Sequence, residues 1–179
     1  KLIWASSSPY DWGLHWNSGA SKWEPAPGCA IRPVIRVTWY GAKAFAEWAG
    51  GSLPTEAQWE YACRAGTTTA YSYGAAANGN YMWYDSNSGS VTHDVGLKQP
   101  NPWGLYDMHG NVFEWCSDWY VDYGSAAATD PTGATSGSNR VLRGGDWYYD
   151  AEDCRSANRL SDPPGSSSLS YGFRVVWVQ

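Results

Sequence analysis

Signals for α-helix are confined to one part of this chain, residues 38–66. Thr38 is a suitable N-cap for a first helix, which the Gly50-Gly51 pair ends. Thr55 with Gln58 three residues later is the sequence pattern of a capping box for a second helix. The apolar positions of each helix fall on one face: Trp39, Ala42, Phe45, Ala46 and Ala49 in the first, and Trp59, Ala62 and Cys63 in the second.

After residue 66 the pattern changes to short aromatic or β-branched runs between loops rich in Gly, Ser, Thr and Asn. The runs are residues 81–84, 111–120, 140–147 and 172–178, and the longest loops are residues 85–92, 124–138 and 161–170. Helices followed by strands and long loops predict an α+β fold, in which two helices pack on a small, mostly antiparallel sheet. Residues 1–33 lack clear periodicity and are predicted as an irregular lead-in to the same domain, which continues through residues 34–179.

The composition argues against nucleic-acid binding and against a membrane-spanning helix. The 179 residues suffice for one domain with a sizeable core, and the net charge is −5 with only 12 Lys and Arg. Because a phosphate backbone requires clustered cations, nucleic acid is not an expected partner. No apolar stretch approaches the roughly 20 residues of a membrane-spanning helix. The 13 Trp and 13 Tyr suit a turn-rich domain whose core reaches close to its surface.

The four cysteines, Cys29, Cys63, Cys116 and Cys154, show neither a CxxC motif nor metal-ligand spacing. Two disulfides are compatible with this number, although Cys63 and Cys154 resemble buried thiols. The location therefore stays open between intracellular, virus-borne and secreted. Because the sequence starts at Lys1 rather than Met, display on a cell or virus surface through a preceding segment is also compatible.

The C-terminal stretch, residues 139–179, combines a framework of Gly, Arg, Trp and Cys with short runs of Tyr, Asp and Ser. Tyr offers a large contact area at low entropy cost and Ser offers adaptable hydrogen bonds, which is why binding loops favour both. The acidic residues form an edge that selects basic or hydroxyl-rich partners. We therefore predict a ligand-binding face, with a surface loop that has no partner as the alternative. The predicted contact residues are Asp146, Tyr148, Tyr149, Asp150, Glu152, Asp153, Leu160, Ser161, Asp162, Ser166, Ser167, Ser168, Ser170 and Tyr171.

The framework arginines are predicted to pair with buried carboxylates and so to hold loops that lack regular hydrogen bonding. An arginine patch that binds an anionic ligand is the alternative. The arginines are Arg143, Arg155, Arg159 and Arg174, and the carboxylates considered for them include Glu60 and Glu114.

Four motifs stand in order along the chain, and together they carry a family resemblance. They are residues 52–62 (SLPTEAQWEYA), residues 101–108 (NPWGLYDM), residues 110–115 (GNVFEW), and Arg143-Gly144-Gly145 with Gly172-Phe173-Arg174. Over residues 33–177 the sequence resembles the formylglycine-generating (sulfatase-modifying factor) domain family. The resemblance implies the C-type lectin-like fold of that family. The family's strand-rich first stretch, with its Met-Gly-Ser signature, does not occur here, which predicts a shortened form or a fragment.

The family contains both enzymes and non-enzymes, so its fold does not fix a function. Its oxidase members use two cysteines after the Gly-Gly motif, and these positions fall on Cys154 and Tyr149 in this sequence. Dithiol or copper-thiolate chemistry requires both sulfurs. The resemblance therefore implies a non-catalytic member without a redox cofactor. The alternative is an enzyme or accessory of the same family that acts on a peptide or cofactor.

Another branch of the family fits the sequence better. Proteins that retroelements diversify carry a hypervariable segment at the C-terminus of this fold, which corresponds to residues 140–174 here. Randomised AAC codons become NNC codons, which encode Tyr, Asp, Ser, Asn, Leu, Pro or Gly but never Trp or Glu. Between residues 146 and 171 every non-framework position except Glu152 can be encoded in this way. The resemblance thus implies a non-catalytic protein that displays a diversified surface to a protein or surface ligand.

Family members bind calcium at positions that match Asp107, Gly110, Val112 and Glu114 in this sequence. The two carboxylates flank a tight turn at Gly110, so the carbonyls of Gly110 and Val112 complete a set of oxygen ligands, which hard cations prefer. The resemblance therefore implies a structural calcium ion. In the alternative, Asp107 caps the turn and Glu114 pairs with an arginine.

Overall fold

The computed structural model of the protein describes residues 14–177. Its helices are α1 (Trp39–Trp48), α2 (Glu56–Arg64) and α3 (Asp85–Ser88), and a 3-10 turn spans Ala151–Cys154. Its strands are β1 (Leu14–Asn17), β2 (Lys22–Pro25), β3 (Phe113–Trp119), β4 (Arg140–Arg143), β5 (Leu160–Asp162) and β6 (Tyr171–Gly172). β1 and β2 pair as an antiparallel hairpin, and the other four strands form a sheet in the order β5-β4-β3-β6. Within this sheet β6 runs parallel to β3 and the other pairs are antiparallel, which confirms the predicted α+β fold.

The two longer helices pack on opposite faces of the four-stranded sheet, because side chains alternate along its central strands. In β3, Phe113 and Trp115 join the core cluster of α1, whereas Cys116 joins the cluster of α2. In β4, Leu142 packs on the α1 side and Val141 on the α2 side. The central strands are therefore covered on both faces.

The predicted caps are present at both helix starts. Thr38 Oγ1 accepts a hydrogen bond from the N–H of Gly41 at 3.1 Å. At α2, Thr55 Oγ1 accepts from the N–H of Gln58 at 3.1 Å, and the N–H of Thr55 donates to the Gln58 side chain at 2.9 Å. These bonds satisfy backbone N–H groups that the start of a helix leaves without partners, so local sequence is sufficient to fix both starts.

Short elements differ from the prediction. Residues 14–25 of the predicted irregular lead-in form the β1–β2 hairpin, while residues 1–13 lie outside the described residues. Residues 81–84, predicted as a strand, form one isolated bridge in the described structure, between Trp83 and Gly110, and are not part of a sheet. The predicted loops at residues 85–92 and 161–170 contain α3 and part of β5. Such short elements lack the periodicity on which sequence-based predictions rest.

The outer side of α1 also differs from the prediction. Phe45, predicted on the buried face, is 48% exposed and stands edge-on to Phe173 with 5.5 Å between ring centroids. Ala42 and Ala46 are fully buried, so small side chains make the close contact between α1 and the sheet. None of the helices within residues 14–177 is long and apolar enough to cross a membrane.

The buried side chain of Arg143, at the end of β4, forms ion pairs with two glutamates of α2. Its side chain is 0% exposed, and its guanidinium pairs with Glu60 and, at 3.5 Å, with Glu56. The same guanidinium donates to the backbone carbonyls of Ser156, at 2.9 Å, and Asn158. Arg143 therefore fixes the segment that follows the 3-10 turn as well as the strand on which it lies.

Two further framework arginines pair as predicted, and one does not. Arg159 Nε and Nη2 donate to the Glu56 carboxylate at 2.6 and 2.8 Å. Arg174 Nη2 donates to Glu114 Oε1 at 2.6 Å, and its Nε donates to Oε2. Arg155 is exposed and donates to a backbone carbonyl of the 3-10 turn at 2.8 Å rather than to a buried carboxylate. The difference follows from position, because Arg155 leaves the turn on its solvent side.

His109 is buried against the rings of Tyr71 and Tyr73 and serves the core in its neutral form. Its Nδ1–H donates to the backbone carbonyl of Cys154 at 2.7 Å, and its Nε2 accepts from the N–H of Ser72 at 3.1 Å. Because an imidazolium loses its hydration in this setting, burial lowers the pKa of His109 from 6.5 to about 4.

We expect His109 to lower the free energy of unfolding as the pH drops from 6.5 to about 4. In this window the unfolded chain binds a proton that the folded protein does not, so acid favours the unfolded state; below the window both states are protonated and the effect levels off. The loss is about 1.4 kcal/mol per pH unit. Urea unfolding of the native protein and the His109→Gln variant at several pH values measures it. Parallel pH profiles of the two proteins would contradict this role.

Candidate ligand-binding face

A glycine pair ends β4 and turns the chain towards the surface. Gly144 and Gly145 have φ values of 103° and 75°, a region that other residues rarely adopt. A Cβ atom on Gly145 would lie 2.5 Å from Cys154 Sγ, so a side chain here would push the 3-10 turn away. The two glycines therefore have the structural role that their place at the strand end indicates.

Asp146 shapes the turn that follows the glycines. Its side chain is fully buried, and Oδ1 accepts hydrogen bonds from the N–H groups of Tyr148 and Tyr149, both at 2.8 Å. Such a bond from a side chain to the backbone two residues later forms an Asx turn, which fixes a loop without regular secondary structure. Burial raises the pKa of the Asp146 carboxyl. Asp146 thus positions the two tyrosines.

The two tyrosine rings project from this turn. Tyr148 is 63% exposed and Tyr149 is 44% exposed. The Tyr149 ring stands edge-on to Phe113 of β3, with 5.7 Å between centroids, and the Tyr148 ring stands edge-on to Trp147, with 5.5 Å. Each ring therefore has a packed side and a free side, which offers contact area with little loss of conformational entropy on binding.

α3 and the ring of Trp147 stabilise the same turn through hydrogen bonds. The sequence pattern did not predict these contacts. Ser88 Oγ donates to the backbone carbonyl of Trp147 at 2.6 Å, and the N–H of Asp85 donates to that of Tyr149 at 3.1 Å. The Trp147 ring N–H donates to the carbonyl of Leu169 at 3.3 Å. With four residues α3 is too short for a periodic signal, and its local helix signals are the acidic Asp85 in its first turn and Gly89 directly after its end.

The loop at residues 163–170 lies beside this turn, and its backbone is fixed at several points. The carbonyl of Pro164 accepts from the N–H of Trp39 at 3.2 Å, and the carbonyl of Ser168 accepts from the N–H of Arg36 at 2.9 Å. These bonds join the loop to the start of α1. The partly exposed serine side chains are therefore presented on a fixed backbone.

Tyr171 of β6 connects the loop with the sheet. Its ring stands edge-on to Trp115, with 5.4 Å between centroids, and its phenol lies close to the carboxylate of Asp162 and to Tyr149. Burial, together with the negative charge of Asp162, raises the pKa of Tyr171. The surface formed by residues 147–153, Asp162 and residues 166–171 is called the C-terminal face below.

The predicted contact residues lie at different depths. The exposed ones are Tyr148, Tyr149, Asp150 and Glu152, and the partly exposed ones are Asp153, Leu160, Ser161, Asp162, Ser166, Ser167, Ser168 and Tyr171. Asp146 and Ser170 are 0% and 8% exposed, which removes them from the residues that can touch a ligand. Leu160 packs against the core cluster beside α1, because β5 pairs with β4 at the sheet edge.

Of the two predicted calcium carboxylates, Glu114 is fully engaged by other side chains, whereas Asp107 Oδ1 is buried without a hydrogen-bond partner among the described residues. Glu114 Oε2 accepts from Trp59 Nε1 at 2.6 Å, and both Glu114 oxygens accept from Arg174. Asp107 Oδ2 accepts from the N–H of Gly96 at 2.8 Å. Because Arg174 already neutralises Glu114, this residue does not fit a calcium ligand. Calcium binding near Asp107 stays a prediction. Residues 14–177 contain no cluster of three or more His, Cys, Asp or Glu side chains suited to a metal.

All four cysteines are free thiols, so neither of the two compatible disulfides forms. Cys63, Cys116 and Cys154 are buried, as predicted for the first and the last of them, and Cys29 is partly exposed. Burial raises the pKa of Cys63 to about 12 and raises that of Cys154 as well. Both thiols are therefore protonated at neutral pH, and a protonated thiol is a poor nucleophile and metal ligand.

Comparison with known proteins shows which family the chain resembles. Residues 4–179 match the sulfatase-modifying factor enzyme 1-like domain. The serine/threonine-protein kinase pkn1 of Chlamydia pneumoniae is 44% identical over 158 residues, which cover 84% of this chain and 25% of the kinase. The formylglycine-generating enzyme of Streptomyces coelicolor is 37% identical over 183 residues, which cover 92% of this chain and 58% of the enzyme. The chain thus spans less than two thirds of either relative.

Among solved structures, Treponema denticola variable protein 1 matches with a TM-score of 0.74 and 32% identity, covering 91% of this chain and 76% of that protein. This match confirms the predicted fold and the predicted resemblance to variable proteins. Because the domain match covers nearly the whole sequence, the chain belongs to the sulfatase-modifying factor (formylglycine-generating) domain family.

Proposed function

We propose that this protein is a non-catalytic ligand-binding protein that presents the C-terminal face to a protein or surface ligand. The observation that carries the proposal is the exposed pair Tyr148 and Tyr149, on a turn held from within by Asp146 and from outside by α3. Aromatic side chains of this kind supply much of the free energy of binding at interfaces, and a preorganised turn reduces the entropy lost on binding. The likeness to Treponema denticola variable protein 1 supports the same function.

We also propose that residues 140–174 are diversified by a retroelement. In the turn at residues 146–153, called the tyrosine turn, the exposed positions apart from Glu152 can be encoded by NNC codons, which supports this proposal. The test is the DNA downstream of the gene. We expect a second, non-coding copy of the stretch that encodes residues 140–174, which differs at adenines and lies beside a reverse-transcriptase gene. A native locus without this copy would remove the diversification proposal and leave the binding proposal in place.

A catalytic role is the second candidate, because formylglycine-generating enzymes are among the relatives. The family resemblance implies that the two oxidase positions fall on Cys154 and Tyr149, and Cys154 is 0% exposed. Dithiol or copper-thiolate chemistry requires two accessible sulfurs at one site. The burial of Cys154 and the tyrosine at the second position therefore support the binding proposal over the catalytic one.

Thiol reactivity distinguishes these two candidates. In the folded protein at neutral pH we expect a thiol reagent to modify Cys29 quickly, and the three buried cysteines only as fast as the protein unfolds. The Cys29→Ser variant should then show almost no fast reaction, while its denatured form should react fully, which controls for the reagent. Fast modification of Cys154 in the folded variant, or stoichiometric copper uptake that protects it, would favour the enzyme.

A further inference from the structure

Many carboxylates of the scaffold lie in ion pairs with arginine or lysine. These pairs involve both long helices, the hairpin, β3 and the loop before α1. Glu56 and Glu114, which pair with the framework arginines Arg159 and Arg174, are buried. Such pairs neutralise charge that burial would otherwise make unfavourable. The paired carboxylates are Glu24, Glu47, Glu56, Glu60, Asp94 and Glu114.

Carboxylates without an ion pair also occur elsewhere among the described residues, at Asp107, Asp118, Asp122 and Asp130, but on the C-terminal face several of them lie close enough to act on one another. Within residues 14–177 no carboxylate of the face forms an ion pair with a lysine or arginine. Arg155, the arginine that follows the 3-10 turn, donates from Nε to the backbone carbonyl of Glu152 at 2.8 Å, and Arg159 binds Glu56 at the start of α2. The unpaired carboxylates are Asp150, Glu152, Asp153 and Asp162 on the face and Asp85 at its rim.

The negative charges on this face also act on one another. Burial raises the pKa of Asp153, and the charge of Asp150 adds to the increase. Burial likewise raises the pKa of Asp146, and Asp153 adds to it. Asp146 Oδ2 is buried without a hydrogen bond to the described residues, although the hydroxyl of Ser170 lies close to the carboxylate. The charge of Arg155 opposes part of the increase at Asp153, but no lysine or arginine among the described residues forms an ion pair with a carboxylate of the face. The face thus holds more negative than positive charge.

We propose that the ligand of the C-terminal face is a basic peptide segment of a partner protein, whose Lys or Arg side chains lie against the tyrosine pair and the neighbouring carboxylates. This inference rests on the proposed binding function and names the chemistry of its ligand. Complementary charge speeds association and disfavours acidic competitors. The rings of Tyr148 and Tyr149 also attract cations through their π electrons. A hydroxyl-rich ligand, by contrast, would cover these carboxylates without neutralising them.

Selection of short random peptides displayed on phage, with the full chain as the target, tests this inference. We expect the enriched peptides to carry a net positive charge and to lose binding to the Tyr148→Ala/Tyr149→Ala variant. On the Asp150→Asn/Glu152→Gln variant their dissociation constants should rise roughly tenfold, because two charged contacts are lost. Added salt should reduce this difference, since exposed charges are screened.

The matched control is Asp122→Asn/Asp130→Asn, which removes two exposed carboxylates outside the C-terminal face and should leave peptide binding unchanged. Enrichment of neutral or acidic peptides that depend on Tyr148 and Tyr149 would overturn the basic-ligand inference while supporting the proposed binding function. A selection that yields no tyrosine-dependent peptide would count against both.

Discussion

Replacement of Tyr148 and Tyr149 together by Ala is expected to abolish ligand binding while the protein stays folded. Buried aromatic anchors at interfaces contribute about 2 kcal/mol or more each, so the double variant should bind roughly a thousandfold more weakly. Tyr148 is 63% exposed and Tyr149 is 44% exposed, so a large part of each residue lies outside the core. Titration with the peptides selected on the native protein measures the loss of affinity.

The same variant should lose little stability. The edge-on contact between Tyr149 and Phe113 is worth about 1 kcal/mol, which for a domain of this size lowers the thermal midpoint by about 2–4 °C. Tyr61→Ala/Tyr123→Ala is the matched control, since these tyrosines are 67% and 66% exposed, on α2 and beside the Arg159 that pairs with the start of α2. A collapse of the thermal midpoint in the Tyr148/Tyr149 variant alone would mean that these rings belong to the core.

The largest expected loss of stability follows from Arg143→Met. The substitution removes a fully buried charge and leaves the carboxylates of Glu56 and Glu60 without one of their partners, and the carbonyls of Ser156 and Asn158 without their donor. Removal of one partner from a buried ion pair costs about 3–5 kcal/mol, because the remaining charge stays desolvated. Equilibrium unfolding in urea, with circular dichroism as the readout, measures the change.

Arg64→Met provides the comparison for this experiment. Arg64 pairs with Glu60 across one turn of α2 at 2.8 Å, but its side chain is 27% exposed. Helical pairs of this kind contribute about 0.5 kcal/mol, so the control should unfold close to the native midpoint. If Arg143→Met proves as stable as the native protein, apolar packing replaces the buried network and the framework role of Arg143 is wrong.

The fold was predictable where its cause is local. Thr38 and Thr55 cap the helices through hydrogen bonds that span three residues, so the signal and its partner occur together in the sequence. The tyrosine turn was predictable as a displayed surface because its residue types are those of binding loops. The pairing of β3 with β4 and β6, and the attachment of α3 to the turn, join residues far apart in the chain. No short-range pattern carries that information.

The sequence by itself determined the α+β class, the two capped helices and a C-terminal stretch of contact-forming side chains on a glycine and arginine framework. Only the tertiary structure decided which polar residues remain available to a ligand. It buries Asp146 as a turn-forming acceptor, pairs Glu114 with Arg174 and Trp59, and leaves Asp150 without an ion pair to a lysine or arginine of the described residues. The physical reason is that burial and choice of partner depend on which distant segments pack together, and a carboxylate has the same chemistry in the sequence whichever partner it meets.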